Sequence, residues 1–292
     1  MREVDILGSY WTLAGGAYPH TDHEYSVFDF KERVEAAGRV GFTGMGFWHA
    51  DLEHTLKTRT LEEMRQILDD NGIQHVELEF LTDWFIDEPE RRRLSDRNRK
   101  MLLDTAEALG ARHIKVGDFS GESCPMQKLI QEFSVLCRQA ADHGTGVLFE
   151  FMPSSIISTL DDTLTLCRGA GAANGGFIFD LWHVYMLGIS FAEIESKLSR
   201  DDFFGVELND GPAAVPEDLL DATVNHRLLC GQGEFDIRGF IDLMDRFDYK
   251  GPWGIEVLNR DLREQPLDEI MKQTFDTTIN EFRDSEILTD LY

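Results

Sequence analysis

Short apolar segments alternate with amphipathic segments along almost the whole chain. Runs rich in Val, Ile, Leu and Phe predict eight buried strands. They lie at residues 4–9, 41–49, 75–80, 113–117, 146–150, 176–180, 204–207 and 253–256. Each run is followed by a segment whose apolar residues recur every three or four positions, which is typical of a helix with one buried face. The alternation predicts an α/β fold built on parallel strands.

Capping residues predict where several of the helices begin. The segments 60–63 and 190–193 each have a hydroxyl residue followed three positions later by Glu, which is the pattern of a capping box. Helices are predicted to begin near residues 26–29, 60, 91, 125, 159, 190, 235 and 267. Residues 10–25, which are rich in aromatic residues and glycine, form too long a connection for a simple turn, so a functional loop is expected there.

Eight strand and helix pairs follow one another without a linker rich in Pro, Gly or Ser. This count favours a closed barrel over an open doubly wound sheet. We therefore predict a single (β/α)8 TIM barrel that spans residues 1–292, with a short surface extension at about 283–292. In such a barrel the active site lies at the carboxyl ends of the strands.

Each of the last four predicted strands ends in a carboxylate, which would lie at that end of the barrel. The acids are Glu150, Asp180, Glu207 and Glu256. Burial of four unpaired carboxylates in one place is too costly unless a cation neutralises them, and a divalent metal ion does so economically. Oxygen ligands suit Mg²⁺ or Mn²⁺, whereas a nearby imidazole shifts the preference toward Mn²⁺, Co²⁺ or Zn²⁺. For any one acid, an ion pair with a barrel Lys or Arg remains an alternative.

The composition restricts the classes of partner. Asp and Glu number 54 against 28 Lys and Arg, a formal net charge of -26. Such a surface repels nucleic acid and anionic membranes, so neither is an expected partner. Four widely spaced cysteines predict reduced thiols, and the chain begins without a basic and apolar leader. A cytoplasmic protein is the resulting expectation.

Motifs from residue 146 to residue 259 resemble a known family. They include the Phe-Asp-Leu-Trp-His segment that contains Asp180 and His183, the segment 206–210, and Arg227 followed by the Gly-Gln-Gly turn at 231–233. With Glu150 and Glu256, these motifs look like the xylose-isomerase-like barrel superfamily. That group includes ketose 3-epimerases, hydroxypyruvate isomerase and inosose dehydratase.

The resemblance implies a site made of these residues. It implies one divalent ion, with Mn²⁺ expected first and Mg²⁺, Co²⁺ or Zn²⁺ as alternatives, bound by the acids at strands five to eight. These match Glu150, Asp180, Glu207 and Glu256, although the family usually has His where this chain has Glu207. The resemblance also implies that Glu150 and Glu256 act as acid and base. Family members commonly assemble as dimers or tetramers, so a homo-oligomer is expected.

The implied activity is that of a sugar isomerase or epimerase. Such an enzyme removes the proton next to the carbonyl of a keto-sugar or polyol ketone through an enediolate. A lyase of the same family remains an alternative, either an inosose-type dehydratase or an enzyme that eliminates from a 3-keto-glycoside. A non-catalytic sugar-binding barrel also remains open. An abasic-site endonuclease shares the fold but is disfavoured, because it needs a larger His-rich metal cluster and a surface that attracts DNA.

Further residues are candidates for the pocket. The resemblance implies substrate contacts for His183 and Arg227, and the positions of His49 and Lys115 at strand ends suggest the same role. Glu77 and Glu79 alternate with apolar residues and therefore face one side of strand three, where a barrel-lining ion pair is an alternative. An aromatic wall or simple core packing would explain Trp11, Trp48, Trp84 and Trp182. His20 and His23 are expected in a solvated loop.

Overall fold

Eight parallel strands close into one barrel in the computed structural model, which describes residues 4–283. Each strand pairs with the next in sequence order, and the eighth pairs with the first. The strands are β1 (Ile6–Gly8), β2 (Gly44–Trp48), β3 (His75–Leu81), β4 (His113–Val116), β5 (Gly146–Glu150), β6 (Gly175–Asp180), β7 (Phe204–Leu208) and β8 (Trp253–Ile255). The predicted (β/α)8 barrel is confirmed.

Helices surround the barrel, and eight of them correspond to the predicted ones. In the described part of the chain the helices are α1 (Tyr10–Leu13), α2 (Phe30–Val40), α3 (His49–Thr55), α4 (Leu61–Asp70), α5 (Pro89–Leu109), α6 (Met126–Asp142), α7 (Leu160–Ala170), α8 (Leu181–Met186), α9 (Phe191–Lys197), α10 (Leu219–Asn225), α11 (Ile237–Arg246), α12 (Arg260–Arg263) and α13 (Leu267–Glu281). The short helices α1, α3, α8, α10 and α12 are additions to the sequence prediction. They follow carboxyl ends of strands, where the predicted loops at residues 10–25 and elsewhere are partly helical.

The predicted caps form where the sequence places them. The Thr60 side chain accepts a hydrogen bond from the Glu63 amide, and the Glu63 carboxylate accepts one from the Thr60 amide. The Ser190 and Thr159 hydroxyl oxygens cap α9 and α7 by accepting from the Glu193 and Asp162 amides, so residues 190–193 form the hydroxyl half of the predicted capping box. For α2 the cap is Asp29. The predicted extension falls mostly at residues 284–292, outside the described residues.

The apolar core lies between the barrel and its surrounding helices. Alternate strand residues such as Val147, Phe149 and Phe177 pack against helices and are buried. The barrel interior, by contrast, contains charged side chains, with Glu77, Lys115 and Glu207 all buried. A polar interior is unusual for this architecture, whose interior is mostly filled by branched aliphatic residues. These buried charged side chains mark the barrel interior as the candidate functional site.

Candidate active site

The four predicted acids converge at the carboxyl end of the barrel. Glu150 and Asp180 end β5 and β6, Glu207 lies in β7 beside Asp180, and Glu256 directly follows β8. Each offers one carboxylate oxygen, and these four atoms lie within 4.8 Å of one another. All four side chains are buried. The convergence arises because the carboxyl ends of parallel strands meet at one end of a closed barrel.

Lys115 lies among these acids in the interior of the barrel. Its ammonium donates to Glu207 Oε1 at 2.7 Å and to Glu256 Oε1 at 2.9 Å. It also lies 3.5 Å from Glu79 Oε2 and 3.8 Å from Glu150 Oε2. The side chain is completely buried and does not line the cavity above. Lys115 therefore contacts carboxylates in this structure.

Arg227 forms ion pairs with two of the acids, Asp180 and Glu256. Its Nη1 donates to Asp180 Oδ2 at 2.7 Å and to Glu256 Oε2 at 3.1 Å, and the guanidinium lies over the Trp182 ring. Asn209 donates to Asp180 Oδ1 at 2.6 Å. Although burial opposes ionisation, Arg227 lowers the pKa of Asp180 to about 2. Asp180 is thus a fixed anion.

The cluster contains more negative charge than its own cations neutralise. The carboxylates in or beside the barrel interior are Glu77, Glu79, Glu150, Asp180, Glu207 and Glu256. Lys115 and Arg227 are the Lys and Arg side chains that contact them. Burial, together with the charge of Glu256, holds the pKa of Glu207 well above its usual range, and burial raises the pKa of Glu256 to about 7. Protons or a further cation are needed to balance the remaining charge.

Glu77 and Glu79 of β3 add two further buried acids to the barrel interior. Both face the interior, as their alternation predicts. Glu77 accepts from His113 Nε2 at 2.6 Å, and despite burial the nearby Lys115 and His113 lower the pKa of Glu77 to about 2. Glu79 accepts from the Tyr10 amide and lines the cavity, while burial raises its pKa well above the usual range. The ion-pair alternative therefore applies to both residues, and Glu79 also reaches the cavity.

The donor set fits a divalent metal ion. Glu207 Oε1 accepts from Ser9 Oγ and Lys115, whereas the buried Glu207 Oε2 has no hydrogen-bond partner. A buried carboxylate oxygen without a partner is costly, and a metal ion would satisfy it. Carboxylate oxygens are suitable ligands for hard divalent ions, and the excess negative charge favours a double positive charge. Glu150, Asp180, Glu207 and Glu256 would hold the ion.

A cavity of about 230 Å³ opens above the acids. Glu150 and Glu256 form part of its floor together with Glu79, His183 and Arg227. The apolar side chains that line it are Trp11, Pro19, Trp48, Phe80, Phe119, Met152, Val224 and Leu258. Trp48 stacks on Phe80, and Phe80 on Phe119, which builds one continuous aromatic wall. The cavity has room for one monosaccharide-sized molecule.

The remaining predicted residues divide between the cavity and the core. His49 and His183 both line the cavity, and each has a buried Nδ1 atom without a hydrogen-bond partner. Of the four tryptophans, Trp11 and Trp48 line the cavity, whereas Trp84 and Trp182 are fully buried in the core.

The loop after β1 supplies polar groups at the mouth of the cavity. His20 lies at the mouth and its side chain is exposed. Glu24 also lines the cavity and accepts hydrogen bonds from Trp48 Nε1 and the His20 amide.

Sequence reasoning missed several residues that position the site. Ser9 lies at the end of β1 and donates to Glu207, and Asn209 links Asp180 to the Glu256 carbonyl. Asp210 accepts from the amides of Gly231 and Gly233, which fixes the turn after Arg227. The alternation of residues 207 and 209 along β7 is a usable signal for Asn209, because both side chains face the interior.

A family of known barrel proteins matches most of this chain. The family model of the xylose isomerase-like TIM barrel matches residues 34–278. The chain belongs to this family. Within the described residues, no helix is long and apolar enough to cross a membrane.

Two curated relatives and one solved structure are similar to this barrel. The 3-dehydroshikimate dehydratase of Pseudomonas aeruginosa is 28% identical over 243 residues, covering 80% of this chain and 37% of the dehydratase. The chain thus spans little more than a third of that relative. The inosose isomerase of Halalkalibacterium halodurans is 21% identical over 235 residues, covering 78% of this chain and 82% of the isomerase. The crystal structure of the IOLI protein with a bound zinc atom has a TM-score of 0.82 at 15% identity and covers 95% of this chain and 98% of that one.

Proposed function

We propose that this protein is a divalent-metal-dependent isomerase or epimerase of an uncharged, six-membered cyclic hydroxyketone. It would act by removing the proton next to the carbonyl. The observation that carries the proposal is the position of Glu150 and Glu256 on the cavity floor, beside Asp180 and Glu207. Two carboxylates that reach the substrate can act on protons, while all four can share a cation.

The lining of the cavity supports an uncharged substrate. Arg227 is the one Lys or Arg side chain among the described residues that line it, and it is already paired with Asp180 and Glu256. Glu24 and Glu79 add two further carboxyl groups to the walls. A substrate carboxylate or phosphate would meet no unpaired cation of the chain there, and its desolvation would be uncompensated. Inosose, named for the isomerase relative, is an uncharged hydroxyketone, whereas 3-dehydroshikimate carries a carboxylate.

A metal ion at the four acids would act as a Lewis acid that polarises the substrate carbonyl and acidifies the neighbouring proton. The zinc atom bound by the similarly folded IOLI protein supports a divalent ion in a barrel of this fold. So does the excess of carboxylates over Lys and Arg side chains. The choice of Mn²⁺ as the physiological ion remains the expectation from the sequence.

Two carboxylates would carry out the proton transfers, and a histidine would bind a substrate oxygen. Glu150 has only longer contacts, 3.3 Å to His183 Nε2 and 3.8 Å to Lys115 Nζ, so its carboxylate is available as the base. Glu256 also lines the cavity, so its carboxylate can exchange a proton with the substrate as the second acid or base. His183 offers its unpartnered Nδ1 to a substrate oxygen. Proton removal would give an enediolate, and return of the proton to the other face or the adjacent carbon would give the epimer or the isomer.

Dehydration is the second candidate outcome. Glu79 lines the cavity, and burial holds its pKa well above the usual range, so it can donate a proton to a departing hydroxyl group. The dehydratase relatives, 28% and 24% identical, favour the same outcome. Proton removal is common to both reactions, and the fate of the neighbouring hydroxyl distinguishes them.

Solvent deuterium exchange tests the proposal whatever the product is. The protein with Mn²⁺ would be incubated in deuterated buffer with inososes, ketohexoses and 3-dehydroshikimate, and the α-proton signal followed by NMR. We expect exchange with an uncharged cyclic hydroxyketone, and product analysis then separates isomerisation from dehydration. Exchange with none of these compounds would refute the proposed function. Faster turnover of 3-dehydroshikimate than of every uncharged ketone would refute the proposed substrate class.

A further inference from the structure

Lys115 is a cation built into the same cluster that is suited to a metal ion. Its ammonium contacts five of the six carboxylates, at 2.7 Å from Glu207, 2.9 Å from Glu256 and 3.5 to 3.8 Å from the other three. Asp180, the sixth, is held by Arg227 instead. The side chain is fully buried, so water does not screen these contacts.

The contacts of Lys115 orient two of the proposed ligands. Lys115 and Ser9 both bind Glu207 Oε1, which leaves Oε2 of the same carboxylate without a partner. Lys115 binds Glu256 Oε1, while Arg227 binds its Oε2. Glu207 therefore has one tethered oxygen and one oxygen free for a metal ion.

The charge of Lys115 also opposes that of a bound ion. Four carboxylate ligands carry four negative charges, and a divalent ion neutralises only two of them. A fixed ammonium group beside two of the ligands removes part of this excess and repels the ion at short range. The pair of Lys115 and Glu207 adds no net charge to the site, as a neutral ligand would.

We propose that Lys115 is a positioning residue that tethers Glu207 and Glu256 as metal ligands, and that its charge offsets Glu207 and weakens the hold on the ion enough for exchange. This inference rests on the metal site of the proposed function. Metal uptake is measured without turnover, so a failure of the catalytic proposal leaves its test intact.

A double-mutant cycle on metal affinity tests this role. Mn²⁺ titrations by calorimetry and electron paramagnetic resonance would compare the wild type with K115M, E207Q and K115M/E207Q. We expect K115M to bind Mn²⁺ at least tenfold more tightly than the wild type and E207Q at least tenfold more weakly. The double variant K115M/E207Q should bind Mn²⁺ within about threefold of the wild type. Lys100→Met, at an exposed position on α5, is the matched control and should leave the affinity unchanged.

The outcomes separate the proposed effect of Lys115 on the bound ion from other roles of this side chain. Unchanged or weaker binding in K115M would overturn the inference, as would a double variant that binds the ion no more tightly than E207Q. Uptake of Mn²⁺ by K115M but not by the wild type would also overturn it, because the ammonium would then replace the ion. If K115M does not fold without metal, the charge-balanced K115M/E207Q variant carries the test through its affinity relative to E207Q.

Discussion

Glu150 and Glu256 share the cavity floor but differ in their partners. Glu256 is held at both oxygens, by Lys115 and by Arg227, while Glu150 has only the longer contacts to His183 and Lys115. Burial raises the pKa of Glu256 to about 7. Glu150 is therefore the less restrained of the two carboxylates proposed as acid and base.

Replacement of either carboxylate by its amide tests these roles. Glu150→Gln and Glu256→Gln keep the size of the side chain but remove the group that moves the proton. We expect each to slow α-proton exchange into deuterated solvent by about 10²- to 10⁴-fold, with the circular dichroism spectrum unchanged. Glu62→Gln, at an exposed position on α4, should exchange like the wild type. Wild-type exchange rates in both pocket variants would rule out the acid and base assignment.

Phe119 is the exposed end of the aromatic wall. It lines the cavity, stacks on Phe80 with ring centroids 5.2 Å apart, and is 47% exposed. Removal of its ring should cost substrate affinity and spare the chemistry, because the ring lies away from the acids. We expect Phe119→Ala to raise KM by roughly threefold to tenfold with kcat nearly unchanged. Steady-state kinetics would show this, and Leu220→Ala, another exposed apolar position, should change neither constant.

At the scale of elements, the turn after Arg227 depends on one aspartate. Asp210 follows β7 and accepts hydrogen bonds from the amides of Gly231, Gly233 and Phe235, as well as from Gly211. These bonds join the segment after β7 to the segment before α11. The Gly-Gln-Gly pattern in the sequence is thus explained by close contact of a backbone turn with a buried carboxylate.

Asp210→Asn should destabilise the protein measurably. The amide nitrogen of Asn cannot accept, so the bonds to Gly231 and Gly233 lose their acceptor or their charge. We expect the free energy of unfolding to fall by about 2 to 3 kcal/mol in urea titrations. Asp218→Asn is the matched control, because Asp218 caps the exposed start of α10 and Asn is an equally good cap. Equal stability of the two variants would contradict the structural role of Asp210.

At the scale of the whole molecule, the acid cluster links stability to pH. The pKa of Glu256 is about 7 in the folded protein against 4.5 for an ordinary glutamate. A raised pKa means that the folded state keeps a proton that the unfolded state releases. The stabilising contribution is complete below pH 4.5 and is lost as the pH rises through 7, by roughly 3 kcal/mol at most. Without metal, the protein should therefore become less stable from pH 5 to pH 8.

Metal binding should reverse this dependence. Carboxylates bind an ion in their deprotonated form, so binding releases protons and strengthens with pH. We expect the increase in Tm caused by Mn²⁺ over a chelator to be several degrees larger at pH 8 than at pH 6. Thermal unfolding at pH 6, 7 and 8 with and without the ion measures this. A pH-independent increase would place the ion away from Glu256.

The pattern of residues along the chain was enough to predict the barrel and the end at which its acids lie. Residues in a strand alternate between two faces, and helices show their own period, so eight strands and eight helices were readable without the structure. Since parallel strands in a barrel share one carboxyl end, Glu150, Asp180, Glu207 and Glu256 were expected together. The five short helices were not readable, because segments of four to seven residues have too few turns for a periodic signal.

The charges that meet inside the barrel could be identified only from the folded chain. Lys115 contacts Glu207 and Glu256 across 92 and 141 residues of sequence, and Ser9 contacts Glu207 across 198. Periodicity shows that each side chain faces inward, but the height at which it does so depends on the register of all eight strands. The closed barrel sets that register and thereby brings the Lys115 ammonium into contact with the acids.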